Sequence, residues 1–344
     1  MSAGSFREER EIRVVHGAGS DTERKVVAIL KVLSESVEPL GSIAIARELE
    51  RYGISLSERA VRYHLRITDE RGYTQGMGRD GRMLTPEGNE ELRMALAPDQ
   101  VGFILDKLEM LAFRTTFNPV TKTGLVPVNT SIMDAREFSQ VLPVIREVFK
   151  SGLAVSNLVK VAAGGEKIGS VVIPPGKIGL ATVCSVVING CLLKAGVPIE
   201  SRFGGVLEMK DNRPRRFVAL ISYAGTSLDP SEQYIKARMT SVGEVSRTKS
   251  GKILANFREI PAIARSLVVE KLEQLELAGI SGVIALGNTS EPVCQIAVGL
   301  SRTGLVMLGG LNPMAAAVEA GFEIENIAES GLVEYGQLKN IRDL

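Results

Sequence analysis

Shifted by 125 positions, residues 155–200 fall on residues 280–325, and a chain that repeats itself in order over such a stretch is constrained to build one supersecondary unit twice. Ser156 falls on Ser281, Glu166 on Glu291, Gly179-Leu180 on Gly304-Leu305, Ala195-Gly196 on Ala320-Gly321 and Ile199-Glu200 on Ile324-Glu325. Apolar positions coincide as well: Ile168 with Val293, Val171 with Ile296, Ile173 with Val298. One residue further out of step, Gly205-Val206-Leu207-Glu208 matches Gly331-Leu332-Val333-Glu334, and upstream residues 124–129 resemble 251–256. Each copy reads strand, helix (about 134–151 and 259–278), three strands, helix (about 188–196 and 313–321), strand. Residues 124–344 are therefore expected to form a duplicated α/β (α+β) body. Its lobes are expected at about 124–209 and 251–335, with an insertion at about 210–246 holding a strand over 216–222 and a helix from Pro230.

The first ninety-odd residues follow another plan. Beyond a flexible N-terminus at 1–20, Ser20-x-x-Glu23 forms a capping box before a helix with Val26, Ile29, Leu30 and Leu33 on one face. Pro39 and Gly41 break the chain, and a second helix turns Ile45, Ala46 and Leu49 inward before Gly53. A third helix spans about 57–71, capped by Ser55 or Ser57 and stopped by Gly72. Val61, Leu65 and Thr68 share its inner face, while Ser57, Arg59, Arg62, Tyr63 and Arg66 point outward. Residues 73–84 then read as a hairpin carrying Arg79 and Arg82, and Thr85-Pro86 starts a closing helix. Three helices, a basic hairpin and a helix make a winged helix-turn-helix over 21–96, mainly α. Outward Arg on its third helix suits guanine edges and phosphates in a major groove, so those seven outward and hairpin residues are the candidate contacts to double-stranded DNA.

Charge limits how such a reader can work. With 41 Lys+Arg against 40 Asp+Glu the chain carries a net +1, which excludes coating nucleic acid by bulk electrostatics. Residues 59–82 carry a local +3, yet residues 1–97 sum to −1, so one copy would bind weakly and a homodimer or higher oligomer reading two half-sites is expected. Residues 97–123 supply a connecting helix and linker. Its stripe of Val101, Ile104, Leu105, Leu108, Leu111 and Ala112 either packs on the next domain or forms a dimer seam.

Catalysis has little to work with. The only histidines are His16 and His64, which rules out Ser-His-Asp and Cys-His chemistry and any His-rich zinc site in most of the chain. Cys184, Cys191 and Cys294 form no C-x-x-C and read as structural thiols in a reducing compartment. No apolar run approaches the ~18 residues of a membrane span, and the N-terminus lacks the apolar core of a signal peptide, so a cytoplasmic protein without a membrane partner is expected. Phosphate-loop, dinucleotide and H-E-x-x-H motifs are missing from the sequence, which points to a sensor with no cofactor and no metal. A cleft between duplicated lobes is a common ligand site. Helix N-termini suited to carboxylates or phosphate follow Tyr223-Ala224-Gly225-Thr226-Ser227 and lie at Asn312, and Arg202 beside Gly204 could add a fork. Arg202, Gly204, Tyr223, Gly225, Thr226, Ser227 and Asn312 are the candidate effector residues, each with ordinary turn or packing duty as the rival reading.

From about residue 22 the sequence resembles the archaeal nitrogen-repression transcriptional regulators, NrpR. The resemblance is strongest at Leu56-Ser57-Glu58-Arg59-Ala60-Val61-Arg62-Tyr63-His64-Leu65, at Leu84-Thr85-Pro86-Glu87-Gly88, and in the body around 178–200 and 203–207. Winged helices of this type also resemble one in a bacterial exoribonuclease, so the body runs discriminate. The resemblance implies a repressor of nitrogen-assimilation genes that binds a palindromic operator as an oligomer and releases it when 2-oxoglutarate accumulates. With one body after one winged helix, it also implies that a second family protein could act as corepressor. The rival readings are a winged-helix regulator of another metabolite, an enzyme with a DNA-binding appendage, and an RNA binder.

Overall fold

The computed structural model of the protein describes residues 21–36, 38–95 and 104–344; the expected tail at 1–20, with Ser20 of the capping box, and Val101 of the connecting stripe lie outside the described residues. The chain divides into two units, Met1–Gln100 and Val101–Leu344.

In the first unit, α1 (Asp21–Ser34), α2 (Ser42–Glu50) and α3 (Glu58–Glu70) enclose Ile29, Leu33, Ile45, Leu49, Val61 and Leu65. The inward positions were fixed by helical spacing alone. α3 begins where it does because Ser57 is extended and its hydroxyl accepts the Ala60 N–H at 3.3 Å. β1 (Thr74–Gly76) and β2 (Arg82–Leu84) pair antiparallel, and Thr85 caps α4 (Pro86–Ala95) by accepting from the Gly88 N–H at 2.9 Å. Leu40 adds a third edge to this hairpin, exchanging both backbone hydrogen bonds with Arg82 at 3.0 Å. Gly81, at φ 119°, sits where a Cβ would come within 2.3 Å of the Leu40 carbonyl carbon, so the wing closes on Leu40 only with glycine there.

The second unit opens with α5 (Ile104–Arg114), β3 (Leu125–Asp134), α6 (Phe138–Lys150), β4 (Leu158–Ala163), β5 (Lys167–Ile168), β6 (Val171–Val172), β7 (Lys177–Val183) and α7 (Val186–Lys194). It continues through β8 (Glu200–Lys210), β9 (Arg213–Ser222), α8 (Pro230–Lys236), α9 (Val242–Thr248), β10 (Gly251–Pro261) and α10 (Arg265–Leu277). It ends with β11 (Val283–Thr289), β12 (Arg302–Leu308), α11 (Asn312–Glu319), β13 (Glu325–Glu334) and β14 (Lys339–Asn340).

Two five-stranded sheets result, ordered β13-β3-β7-β4-β14 and β9-β8-β10-β12-β11. By the sequence offset β3 corresponds to β10, β4 to β11, β7 to β12 and β8 to β13. Four consecutive positions of the two sheets therefore share one order, but β8 lies in the sheet of the second copy and β13 in that of the first. The lobes expected at 124–209 and 251–335 are thus repeats in sequence and not separate bodies in space. One apolar core accordingly runs through both, with Val141, Ile145 and Leu180 from one copy and Phe257, Val306 and Met314 from the other. Helix α6 packs on α11, and α7 on α10, which are equivalent pairings under the offset.

Helix α5 uses its stripe on this body: Ile104, Leu108, Leu111 and Ala112 are buried against Cys184, Val186 and Tyr223. Packing on the body, one of the two compatible uses of that stripe, is present. The approach is close, because a Cβ on Gly190 would lie 2.5 Å from the Thr115 side chain. Among the described residues no helix is long and apolar enough to cross a membrane, and no group of three or more His, Cys, Asp or Glu is placed to hold a metal ion. The three cysteines are free.

At the start of α11, Asn312 is fully buried and stitches the two halves. Its Oδ1 accepts the Leu254 N–H at 2.8 Å, and its Nδ2 donates to the Leu153 and Leu254 carbonyls at 3.1 and 3.0 Å. Asn312→Ala strands the Leu254 N–H and the Leu153 carbonyl away from water, while the Leu254 carbonyl keeps the Gly309 N–H, and should cost about 3 kcal/mol. Urea unfolding checks this, and a loss near zero would contradict the stitch.

Candidate functional site

Recognition chemistry gathers at two places, one on each unit. On α3, Val61, Leu65 and Thr68 face the core and leave Arg59, Arg62, Tyr63 and Arg66 exposed. Arg62 donates through Nη2 to Glu58 Oε1 and through Nε to Ser42 Oγ at 3.4 Å, while Ser42 Oγ donates to Glu58 at 3.0 Å. Arg62 and then Ser42 hold the Glu58 carboxyl below its usual range. Arg66 lies 3.5 Å from Glu70, with its guanidinium 5.8 Å from the Tyr63 ring centre. Exposed ion pairs of this kind contribute little, so each Arg can leave its carboxylate for a phosphate or base edge at small cost. Arg79 is exposed at the wing tip. His64 is buried and meets Tyr63 edge-on at 5.3 Å. Ile43, at the start of α2 and off its inward stripe, is 63 % exposed.

Two of the seven residues have other work. The Ser57 hydroxyl is engaged as the α3 cap. Arg82 is half-buried, and its Nε donates to both Asp69 oxygens at 3.1 and 2.8 Å, while Asp69 also accepts from Thr74 at 2.6 Å. Arg82 thus ties the wing to α3, and of the two wing arginines Arg79 is the one left exposed.

The seven effector candidates do not converge. Arg202 is paired with Glu200 at 3.1 Å and Glu259 at 3.9 Å, alongside Arg302 on the same two carboxylates. Gly204 is buried because a Cβ would come within 2.7 Å of Pro230. Gly225, Thr226 and Ser227 form a loop in which the Thr226 carbonyl accepts from Ile104 N–H at 2.9 Å. Asn312 has its amide saturated by backbone. The helix start after this loop is capped from within, by Asp229 accepting from Glu232 N–H at 3.0 Å. Only Tyr223 borders a partly enclosed polar site.

That site is a small, partly enclosed cavity lined by Asn129, Cys184, Ser185, Tyr223, Asn256, Arg258, Gly310 and Glu329 among others, with room for about one water at ≈10 Å³. Asn129 and Asn256 are equivalents under the repeat, so the cavity sits where the two halves meet. Arg258, on β10, is 1 % exposed, and its Nε and Nη1 find no hydrogen-bond partner. Its guanidinium lies 5.0 Å from the Tyr223 ring centre; Tyr223 Oη donates to Asn256 Oδ1, and Asn256 Nδ2 donates to Ser185 Oγ at 3.2 Å. Facing it is Glu329, in a β-bulge of β13 between the Ile327–Thr130 and Gly331–Val128 pairs, with φ 47°. Glu329 N–H donates to Asn129 Oδ1 at 3.1 Å and Cys184 Sγ to its Oε1 at 3.8 Å, but Oε2 has no partner.

A buried, half-unsatisfied Arg opposite a buried, half-unsatisfied Glu is an arrangement for a polar guest. Burial first, and then the neighbouring Asp229 charge, push the Glu329 carboxyl well up; burial pushes Asp229 up to about 6. Burial likewise raises the Cys184 thiol, which leaves it protonated and inert. The sequence did carry a sign of this site: Arg258-Glu259 interrupts the apolar run of β10, and a charged residue inside a buried strand needs a reason.

Residues 101–340 match the family described as NrpR regulatory domains NRD1 and 2, and residues 27–92 match the Ribonuclease R winged-helix domain. The chain is 43 % identical over 319 residues to the Global nitrogen regulator NrpRI of Methanosarcina mazei, covering 93 % of this chain and 98 % of that one. The Global nitrogen regulator NrpR of Methanocaldococcus jannaschii is 33 % identical over 334 residues, which cover 94 % of this chain but 57 % of the relative. The crystal structure of a nitrogen repressor-like protein from Methanococcus jannaschii superimposes with a TM-score of 0.59 at 27 % identity, over 69 % of this chain and 97 % of that chain.

Since folding raises the Glu329 carboxyl above its ordinary 4.5, the folded chain keeps a proton that the unfolded chain releases above that pH. Stability therefore falls as pH rises from the ordinary carboxylate range towards the raised one, by at most about 1.4 kcal/mol per pH unit. Glu329→Gln removes this titration. Its unfolding free energy relative to the native sequence should rise as pH climbs above the ordinary carboxylate range, and a difference that stays flat would contradict the burial effect.

Proposed function

The chain belongs to the NrpR family of nitrogen regulators, and on that premise we propose that it is a DNA-binding repressor of nitrogen-assimilation genes released from its operator by 2-oxoglutarate. The family is one of regulators and not of enzymes. Reading of duplex DNA falls to the α3 face, with Arg59, Arg62, Tyr63 and Arg66 towards the major groove and Arg79 on a phosphate. A charge sum near zero over the reader favours an oligomer that offers two such faces to a palindrome. The M. jannaschii relative is nearly twice as long as this chain's match, and a second family protein as corepressor is part of the same reading. The repeated strand order of the body favours an origin by duplication.

The observation that carries the effector half is Arg258: a buried guanidinium with two unpartnered nitrogens, at the junction of the two halves, suits a carboxylate. The cavity is too small for 2-oxoglutarate as it stands, so the ligand binds only where the sheets part around it. A ligand that favours one state shifts the equilibrium by its differential affinity. This gives the effector its hold on the operator, with the open body misplacing the paired readers.

Fluorescence anisotropy tests both halves, using a duplex selected by the chain from random sequence without effector. Addition of 2-oxoglutarate should weaken binding of the native chain, and Arg258→Met should bind the duplex normally but no longer respond. Unchanged affinity with 2-oxoglutarate, with or without partner proteins, contradicts the reading. On the same duplex Arg62→Ala should cost about 1–3 kcal/mol and relax one base preference, whereas Arg79→Ala should lower the salt slope by about one phosphate. Equal, sequence-blind losses would make α3 a phosphate clamp.

A further inference from the structure

The cavity holds an imbalance of charge that a carboxylate ligand would worsen. Around Glu329 stand Lys107 from α5, Asp229 before α8, Glu232 on α8 and Arg258 on β10, with the neutral Cys184, Tyr223 and Asn129 between them. Lys107 Nζ donates to the Ala328 carbonyl at 2.8 Å and Glu232 accepts the Ala328 N–H at 2.8 Å, so both ends of the bulge peptide are tied to charged side chains. With all three carboxyls ionised, three negative charges would stand against two cations, leaving one net negative charge where there is no room for a counterion. A dianion entering against Arg258 would add two more in a low-dielectric site.

We propose that the buried carboxyls of Asp229 and Glu329 make this a proton-linked site: the pair takes up a proton from solvent as a carboxylate ligand settles against Arg258, and the neutral Glu329 donates to that ligand through the oxygen that now lacks a partner. This inference rests on the effector reading above. The positive φ of Glu329 fits it, since a left-handed non-glycine residue is held in place only where its surroundings demand it. The proton is shared, so its uptake belongs to the pair and not to either residue. Ligand affinity then falls with rising pH, approaching about tenfold per pH unit where one full proton is taken up.

Calorimetric titration of the full chain with 2-oxoglutarate decides the matter, at one pH near 7.5 in buffers of low and high ionisation enthalpy. The expected result is a heat that differs between buffers by up to one proton taken up per ligand. Glu329→Gln should bind with a smaller dependence of heat on buffer and a flatter dependence of affinity on pH, because an amide donates without a proton and only Asp229 is left to titrate. Asp229→Asn, which keeps a cap for α8, is the second variant and should reduce the uptake. Binding with no buffer dependence in the native chain, or undiminished uptake in both variants, overturns the inference alone. No binding in either buffer overturns the effector reading and the inference with it.

Discussion

Each repeat gives its last strand to the sheet of the other, and the exchange of β8 and β13 shapes the rest of the body. Because β8 is hydrogen-bonded to β10 and β13 to β3, the halves cannot separate without breaking a full strand interface. They share one core, and their equivalent residues meet at the junction. Asn129 and Asn256 carry the consequence. In one sheet β8 passes Asn256 in register with Gly204, leaving the Asn free to take Tyr223 and Ser185. In the other, β13 bulges past Asn129, which takes the Glu329 N–H instead. Both exchanged pairings are irregular, β8–β10 between Phe257 and Arg258 and β13–β3 at Glu329, and these two breaks in a repeated frame put a cation on one wall and a carboxyl on the opposite wall.

The energetics of the two charge groups of the body point in different directions. Arg202 and Arg302 share Glu200 and Glu259, so each charge has a partner, and the group reads as scaffold. Arg258 and Glu329 each keep unsatisfied polar atoms in the dry interior. Leaving such groups unpaired costs about 1–3 kcal/mol each, a loss that apolar replacements would avoid. Arg146 Nε, Asn189 Oδ1, Tyr234 Oη and Thr303 Oγ1 also lack partners, and what sets the cavity apart is that its unsatisfied groups are of opposite charge and line one space.

Much of this was legible in the sequence. Helical spacing placed Val61 and Leu65 in the reader core, Thr85 announced its cap, and of the two serines offered for α3 the structure uses Ser57. The repeat foretold the helices and the strands of the two sheets, but the three strands expected between the helices are four in the first copy, where β5 and β6 form a small hairpin, and two in the second. The strand exchange was not legible, since sequence repetition says which elements recur and not which sheet they join. Arg82 looked like Arg79 because a hairpin pattern does not reveal that Asp69 waits beneath one of them. Among the effector candidates the helix starts and glycines had local duties, as with Asn312 and Gly204, and only Tyr223 reached the cavity. Arg258 and Glu329 are 71 residues apart and come together through the exchange, so no local motif could pair them.

On the proposed function, the cavity and the reading face are two sites of one equilibrium. Linkage requires that if 2-oxoglutarate weakens operator binding by some factor, operator DNA weakens 2-oxoglutarate binding by the same factor. The direct measurement is the dissociation constant of 2-oxoglutarate for the full chain, free and saturated with its selected duplex, at one salt concentration. Weaker binding to the DNA-bound chain is expected, by the factor seen in the reverse titration. Equal affinity in the two states would contradict the coupling.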